Sequence, residues 1–164
     1  MKVLYFGGQK SGKSLLAEKK TLLLAKDSKP FYIATYDNSY NDSEMQTRIN
    51  KHKTQRKNTF ITIEELNDLS THINNNNTYL IDCISMWILN NIKQDEQYFL
   101  NQLNSISNID ANIVFVLNDV TSGIIPIDTQ SRKFVDLTGI IGQKLTSICN
   151  EVYEVKFALE NRLK

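Results

Sequence analysis

Cysteine is scarce in this sequence: its 164 residues include two, Cys83 and Cys149. Two thiols so far apart cannot build a disulfide framework or a zinc site, so reduced thiols in a cytosolic compartment are expected. A surplus of charge is missing as well. Nineteen basic side chains stand against eighteen acidic ones, for a net charge of +1. Such a chain has no global field to attract nucleic acid or an anionic membrane, so any anion binding has to be local. Long apolar runs are also lacking. No stretch approaches the roughly 18 apolar residues of a membrane span. The N-terminal run Val3-Leu4-Tyr5-Phe6 is too short for a signal peptide, and a cytoplasmic protein is expected. Asparagine is plentiful, and the run Asn74-Asn75-Asn76-Asn77 reads as a solvated connection without chemistry of its own.

The sequence does contain the makings of one globular domain over residues 1–164. Hydrophobic residues make up 41% and charged residues 23%, ordinary values for a soluble core-forming chain. Val3–Phe6 reads as a first strand and Lys13 to about Lys26 as a helix. Phe31–Thr35 follows Pro30 as a second strand, and Asp42 is a good N-cap for a helix from Ser43 to about Arg56. A strand over Phe60–Ile63, a helix from Glu64 to about Ile73 and a buried strand over Tyr79–Asp82 come next. Helices are expected over Ile84–Ile92 and Asp95–Ile106, then the apolar strand Ile113–Leu117. Val120–Ser131 reads as a long loop, Arg132 to about Asn150 as the last helix, and Val152–Phe157 as a final strand. Strands alternating with helices predict an α/β fold, with a mostly parallel sheet covered on both faces.

The most informative stretch is Gly7-Gly8-Gln9-Lys10-Ser11-Gly12-Lys13-Ser14. It satisfies G-x-x-x-x-G-K-[ST] without a mismatch, after an expected strand and before an expected helix. Glycines let the backbone approach an anion so that successive N–H groups point at phosphate oxygens. The helix start adds the positive end of its dipole. Lys13 is expected to reach the β/γ-phosphates and the Ser14 hydroxyl to hold Mg²⁺. Asp82, a carboxylate at the end of a buried strand, stands where P-loop enzymes place the residue that holds Mg²⁺, although a helix N-cap is the other reading of such a residue.

The expected helix 42–56 carries Arg48, His52 and Arg56 at spacings i, i+4 and i+8, hence on one face. Two arginines one turn either side disfavour the protonated imidazole, leaving His52 neutral and nucleophilic, while the guanidinium groups suit phosphates. A neutral imidazole facing a nucleotide α-phosphate can form a covalent nucleotidyl-enzyme intermediate; the plainer reading is a solvated basic face. His72 has no comparable surroundings and reads as structural or exposed.

Over nearly its whole length the sequence resembles the bifunctional adenosylcobinamide kinase/adenosylcobinamide-phosphate guanylyltransferases of cobalamin assembly. The phosphate loop, Tyr32-Ile33-Ala34-Thr35, Glu44-Met45 with Arg48-Ile49, His52 and Arg56, and Asp82-Cys83-Ile84 with Trp87 and Asn90 carry the resemblance. Asn118-Asp119-Val120, Gly123-Ile124-Ile125-Pro126, and Arg132, Phe134, Asp136, Gly139 and Gln143 continue it. Thr35 is counted with the phosphate loop, Arg48 and Arg56 among the nucleotide-binding residues. The resemblance implies a RecA-like P-loop domain assembled as a homotrimer. It also implies two reactions: phosphorylation of the corrinoid's aminopropanol hydroxyl by ATP or GTP, then transfer of GMP from GTP through a guanylylated histidine, His52 by motif position. Departures from the family pattern fall at Asp119, Thr121, Val135 and Gly142. They bear on the corrinoid and the half-reactions rather than on phosphate binding. The alternatives are a P-loop kinase for another small hydroxyl substrate, or a nucleotide-binding module that has lost one or both activities.

Overall fold

The computed structural model describes residues 1–36 and 59–164. Seven strands form one sheet among them: β1 (Lys2–Gly7), β2 (Phe31–Ala34), β3 (Ile61–Glu64), β4 (Thr78–Asp82), β5 (Asn112–Asn118), β6 (Glu151–Lys156) and β7 (Leu159–Arg162). Their spatial order is β3-β2-β4-β5-β1-β6-β7, parallel throughout except for the β6–β7 hairpin. The helices are α1 (Lys13–Ala25), α2 (Ile84–Asn90), α3 (Glu96–Ser107) and α4 (Thr129–Ile148), with a 3₁₀ turn over Leu69–His72.

Central strands that are apolar at every position need cover on both faces, since successive side chains point to opposite sides. On one face Val3, Tyr5, Leu80, Val114 and Val116 pack with Ala17 and Leu16 of α1. On the other, Leu4, Ile33, Ile81, Ile113 and Phe115 pack with Trp87 and Ile88 of α2, Phe99 and Leu103 of α3, and Leu137, Ile141 and Leu145 of α4. The Trp87 and Phe99 rings meet edge to face with centroids 5.0 Å apart. The chain thus leaves β1 over one face and β5, its neighbour, over the other. Between strands that part in this way, a crevice opens at the carboxyl ends.

The expected mostly parallel α/β sheet is borne out. Three local expectations change. No helix fills 64–73: the Glu65 carboxylate accepts the Asn67 and Asp68 amides at 2.7 and 3.0 Å, and the Asp68 carboxylate accepts from Ser70 N–H at 2.9 Å. Side chains that satisfy backbone donors in this way compete with helix formation, and a short 3₁₀ turn results. The last helix begins at Thr129 rather than Arg132, because the Asp128 carboxylate caps Ser131 N–H at 2.8 Å. The last expected strand is a hairpin, whose turn Phe157-Ala158 has positive φ at both positions (53° and 62°) and returns as β7.

Candidate active site

The phosphate loop joins β1 to α1 and is tied down on three sides. Ser11 N–H closes a turn on the Gly8 carbonyl at 3.2 Å, and Leu16 N–H donates to Gly12 C=O at 3.3 Å as the helix starts. Gly12 holds φ 98°, and a Cβ there would lie 3.1 Å from the Ala158 Cα. A Cβ on Gly7 would run into the Val155 carbonyl oxygen. Gly7 therefore requires glycine because neighbouring backbone occupies the space, and Gly12 because a positive φ there coincides with a tight contact. From the β6–β7 turn, Ala158 N–H donates to the Ser11 carbonyl at 2.7 Å. Just past β5, Asp119 N–H donates to the Gly7 carbonyl at 2.9 Å.

Inside this frame Lys13 is buried, and its ammonium donates to the Gly8 carbonyl at 3.1 Å. Burial pulls its pKa below the usual lysine range, while the charge of the Asp82 carboxylate acts in the opposite direction. Among the described residues none forms an ion pair with it, and a buried cation so placed is a ready partner for an anion. The Ser11 Oγ is buried too and has no hydrogen-bond partner among the described residues. Gly8, Gln9 and Lys10 are exposed, with Lys10 at φ 57°, and Ser14 is half-buried in the first turn of α1.

Asp82 ends β4, two strands from β1 across β5. The Tyr32 hydroxyl donates to Asp82 Oδ2 at 3.0 Å and fixes the carboxylate. Thr35 locks the next residue: its hydroxyl donates to Cys83 C=O at 2.7 Å and accepts from Cys83 N–H at 2.9 Å. Asn90 of α2 in turn donates to the Thr35 carbonyl at 2.7 Å. Burial, then the Asp82 charge, pushes the Cys83 thiol up to about 12, so it stays protonated. The Ser14 hydroxyl and Asp82 carboxylate are hard oxygen donors, the chemistry Mg²⁺ selects, and are residues that could hold that ion. Among the described residues no cluster of three or more His, Cys, Asp or Glu side chains could hold a metal ion.

Of the residues singled out in the sequence, Gly7–Ser14, Thr35 and Asp82 gather at the carboxyl edge of the sheet. Arg48, His52 and Arg56, with their expected helix 42–56, lie outside the described residues. His72 lies 2.9 Å from Glu65, which agrees with a structural role. Tyr32 and Asn90 appear in the sequence only as parts of motifs; contacts spanning 50 and 55 residues assign them their roles. Beside Asn118–Asp119, a mostly apolar cavity of about 620 Å³ runs between β1, β5 and α4, with Phe6, Leu117, Thr138 and Gln143 on its walls.

A strand, a glycine loop, a buried lysine and a helix start define a P-loop nucleotide-binding α/β domain. The chain belongs to the cobinamide kinase/cobinamide phosphate guanyltransferase family, whose pattern it matches over residues 3–162. It is 31% identical to the bifunctional adenosylcobalamin biosynthesis protein CobP of Pseudomonas aeruginosa, over 93% of this chain and 91% of that protein. It is 28% identical to CobU of Escherichia coli K12, another bifunctional adenosylcobalamin biosynthesis protein, over the full length of both. The expected family, with its kinase and guanylyltransferase activities in cobalamin biosynthesis, is thereby borne out. In fold, a solved Pyrococcus horikoshii OT3 protein superposes with a TM-score of 0.53 at 13% identity, covering 99% of this chain and 85% of that one. A solved ATPase domain gives 0.50 at 11% identity, over 93% and 68%. No helix among the described residues is long and apolar enough to cross a membrane.

Proposed function

We propose that this chain performs both reactions of its family on adenosylcobinamide, with one phosphate loop serving both. The observation that carries the reading is the loop itself: fully framed by backbone, with the Lys13 ammonium buried inside it. In the kinase step Lys13 and the loop amides hold the triphosphate of ATP or GTP, and the corrinoid's aminopropanol oxygen attacks the γ-phosphorus. The bond to the β-phosphate oxygen breaks, the nucleoside diphosphate leaves and the hydroxyl proton is released. In the second step an imidazole nitrogen of His52 attacks the α-phosphorus of GTP and pyrophosphate departs. A phosphate oxygen of the phosphorylated corrinoid then displaces the histidine and yields adenosylcobinamide-GDP. Arg48 and Arg56 keep the imidazole neutral and bind phosphate oxygens. Ser14 and Asp82 are the proposed Mg²⁺ ligands, with Tyr32 orienting the Asp82 carboxylate; the bound ion supplies neutralisation of charge on the phosphate oxygens. The proposed working form is a cytoplasmic homotrimer of single-domain chains, with nucleotide and corrinoid as its small-molecule partners.

The test is covalent labelling. With Mg²⁺ and α-labelled GTP, the protein should acquire a label that is acid-labile and alkali-stable, as a phosphoramidate is. The His52→Ala variant should acquire none while retaining GTP binding. A variant that still becomes labelled would refute the assignment of the nucleophile.

A further inference from the structure

The triphosphate end of a bound nucleotide is accounted for by the loop, whereas nothing above receives its base. The β6–β7 hairpin places an exposed aromatic ring beside that loop. Phe157, at the turn, is 84% exposed, an unusual position for a ring that burial would favour. The turn is not a loose tip. Its next residue, Ala158, donates its amide to Ser11 of the phosphate loop at 2.7 Å and lies against Gly12. Val155, two residues before the ring, closes on Gly7. The hairpin is thus bound to the first, fifth and sixth residues of the phosphate loop. At the start of α1, just beyond the lysine and serine of the motif, Leu15 is exposed as well, and so is Leu159 across the hairpin turn. Three uncovered apolar side chains therefore border a site that binds polyanions.

We infer that this rim receives the purine of the nucleoside triphosphate, with the Phe157 ring as its stacking platform. The inference rests on the phosphate-loop reading above and extends it from the phosphates to the base. Covalent continuity supports it: a purine is linked through ribose to the phosphates, so loop-bound phosphates confine the base to surfaces next to the loop. The hairpin is such a surface. A π-face tolerates any base, so this contact supplies affinity without choosing guanine over adenine. That suits a site where ATP and GTP both serve as the proposed phosphate donors.

The experiment compares GTP with inorganic tripolyphosphate, which carries the phosphates and no base, by calorimetric titration of the whole protein. In Phe157→Ala, GTP affinity should fall about tenfold, within the range of one base–aromatic stack, while tripolyphosphate affinity stays within about twofold. Phe157→Trp should bind GTP normally, and its added fluorescence should be quenched by GTP and not by tripolyphosphate. Unchanged GTP affinity in Phe157→Ala, or an equal loss for both ligands, overturns the stacking role; an equal loss identifies the hairpin as a support of the loop. Lys13→Ala is the control for the underlying reading and should weaken both ligands. If it weakens neither, the phosphate-loop reading fails and the base site with it. A normal Lys13→Ala result with a silent Phe157→Ala sinks only the base site.

Discussion

Two loops leave adjacent strands at the same edge of the sheet, and they are built in opposite ways. Residues 8–12 follow β1; residues 119–128 follow β5, and Gly7 pairs with Asn118 across the two strands. The first loop is enclosed. Backbone from β6 and the β6–β7 turn occupies the space that side chains on Gly7 and Gly12 would need, and Lys13 and Ser11 are buried. The second is tied, among the described residues, at its ends. Asp119 accepts from Thr121 N–H at 3.0 Å, Asp128 caps α4, and Arg132 donates to the carbonyls of Pro126 and Ile127. Between them Ile124 and Ile127 are 95% and 96% exposed. A phosphate site works best when its dipoles are fixed before the ligand arrives. A surface that meets a larger partner can leave its apolar groups waiting.

If the first loop is fixed by its frame, filling that frame has the largest effect. Gly7→Ala sets a methyl against the Val155 backbone carbonyl, which cannot yield as the far end of a flexible side chain could. A loss of about 3 kcal/mol is expected, the upper part of the overpacking range. Urea unfolding would measure it, and a loss below about 1 kcal/mol would mean that β6 is not held against the loop.

A smaller effect is expected at the clasp that steadies the Mg²⁺-ligand candidate. Thr35→Val keeps the shape and removes the hydroxyl, leaving Cys83 N–H and C=O without the partner they have now. Unsatisfied buried groups of this kind cost about 2 kcal/mol. Thr35→Ser keeps both hydrogen bonds and should recover most of the stability in the same unfolding experiment. Equal losses in Val and Ser would mean that the methyl group, not the clasp, does the holding.

The legibility of the sequence follows the same division between local and distant causes. The phosphate loop could be read because its chemistry is written in eight consecutive residues, and β1 and β5 because their apolar runs have no competing period. The region 64–73 could not. Its helix-compatible pattern is overruled by Glu65 and Asp68, whose carboxylates take backbone amides, and by Gln102, whose Oε1 accepts Leu69 N–H from α3 at 3.0 Å. Strand β7 was hidden as well, since Leu159–Arg162 is exposed throughout and has no alternation to betray it. The Tyr32 hydroxyl could not be matched to Asp82 by any local signal. The frame of Gly7 and Gly12 is distant too: the glycines were legible, but the backbone that demands them comes from residues 155–158.

The smallest stability effect belongs to the second loop. Replacing Ile124, Ile125 and Ile127 together by serine should change the unfolding free energy by no more than about 0.5 kcal/mol, because side chains already in water lose no burial when they become polar. A thermal melt that shifts by several degrees with the sedimenting mass unchanged would show the isoleucines packed within the fold, and the contrast between the loops would collapse. Two other measurements tell what the isoleucines meet outside the fold. If they pack against another chain of the proposed homotrimer, the triple variant should sediment as a smaller species, for apolar contact drives such association. If they meet the corrinoid, the assembly should keep its mass while KM for adenosylcobinamide rises and the proposed labelling of His52 by GTP is unaffected. That last combination would divide the labour between the loops cleanly: one fixed and concerned with phosphates, the other open and concerned with the bulk of the acceptor.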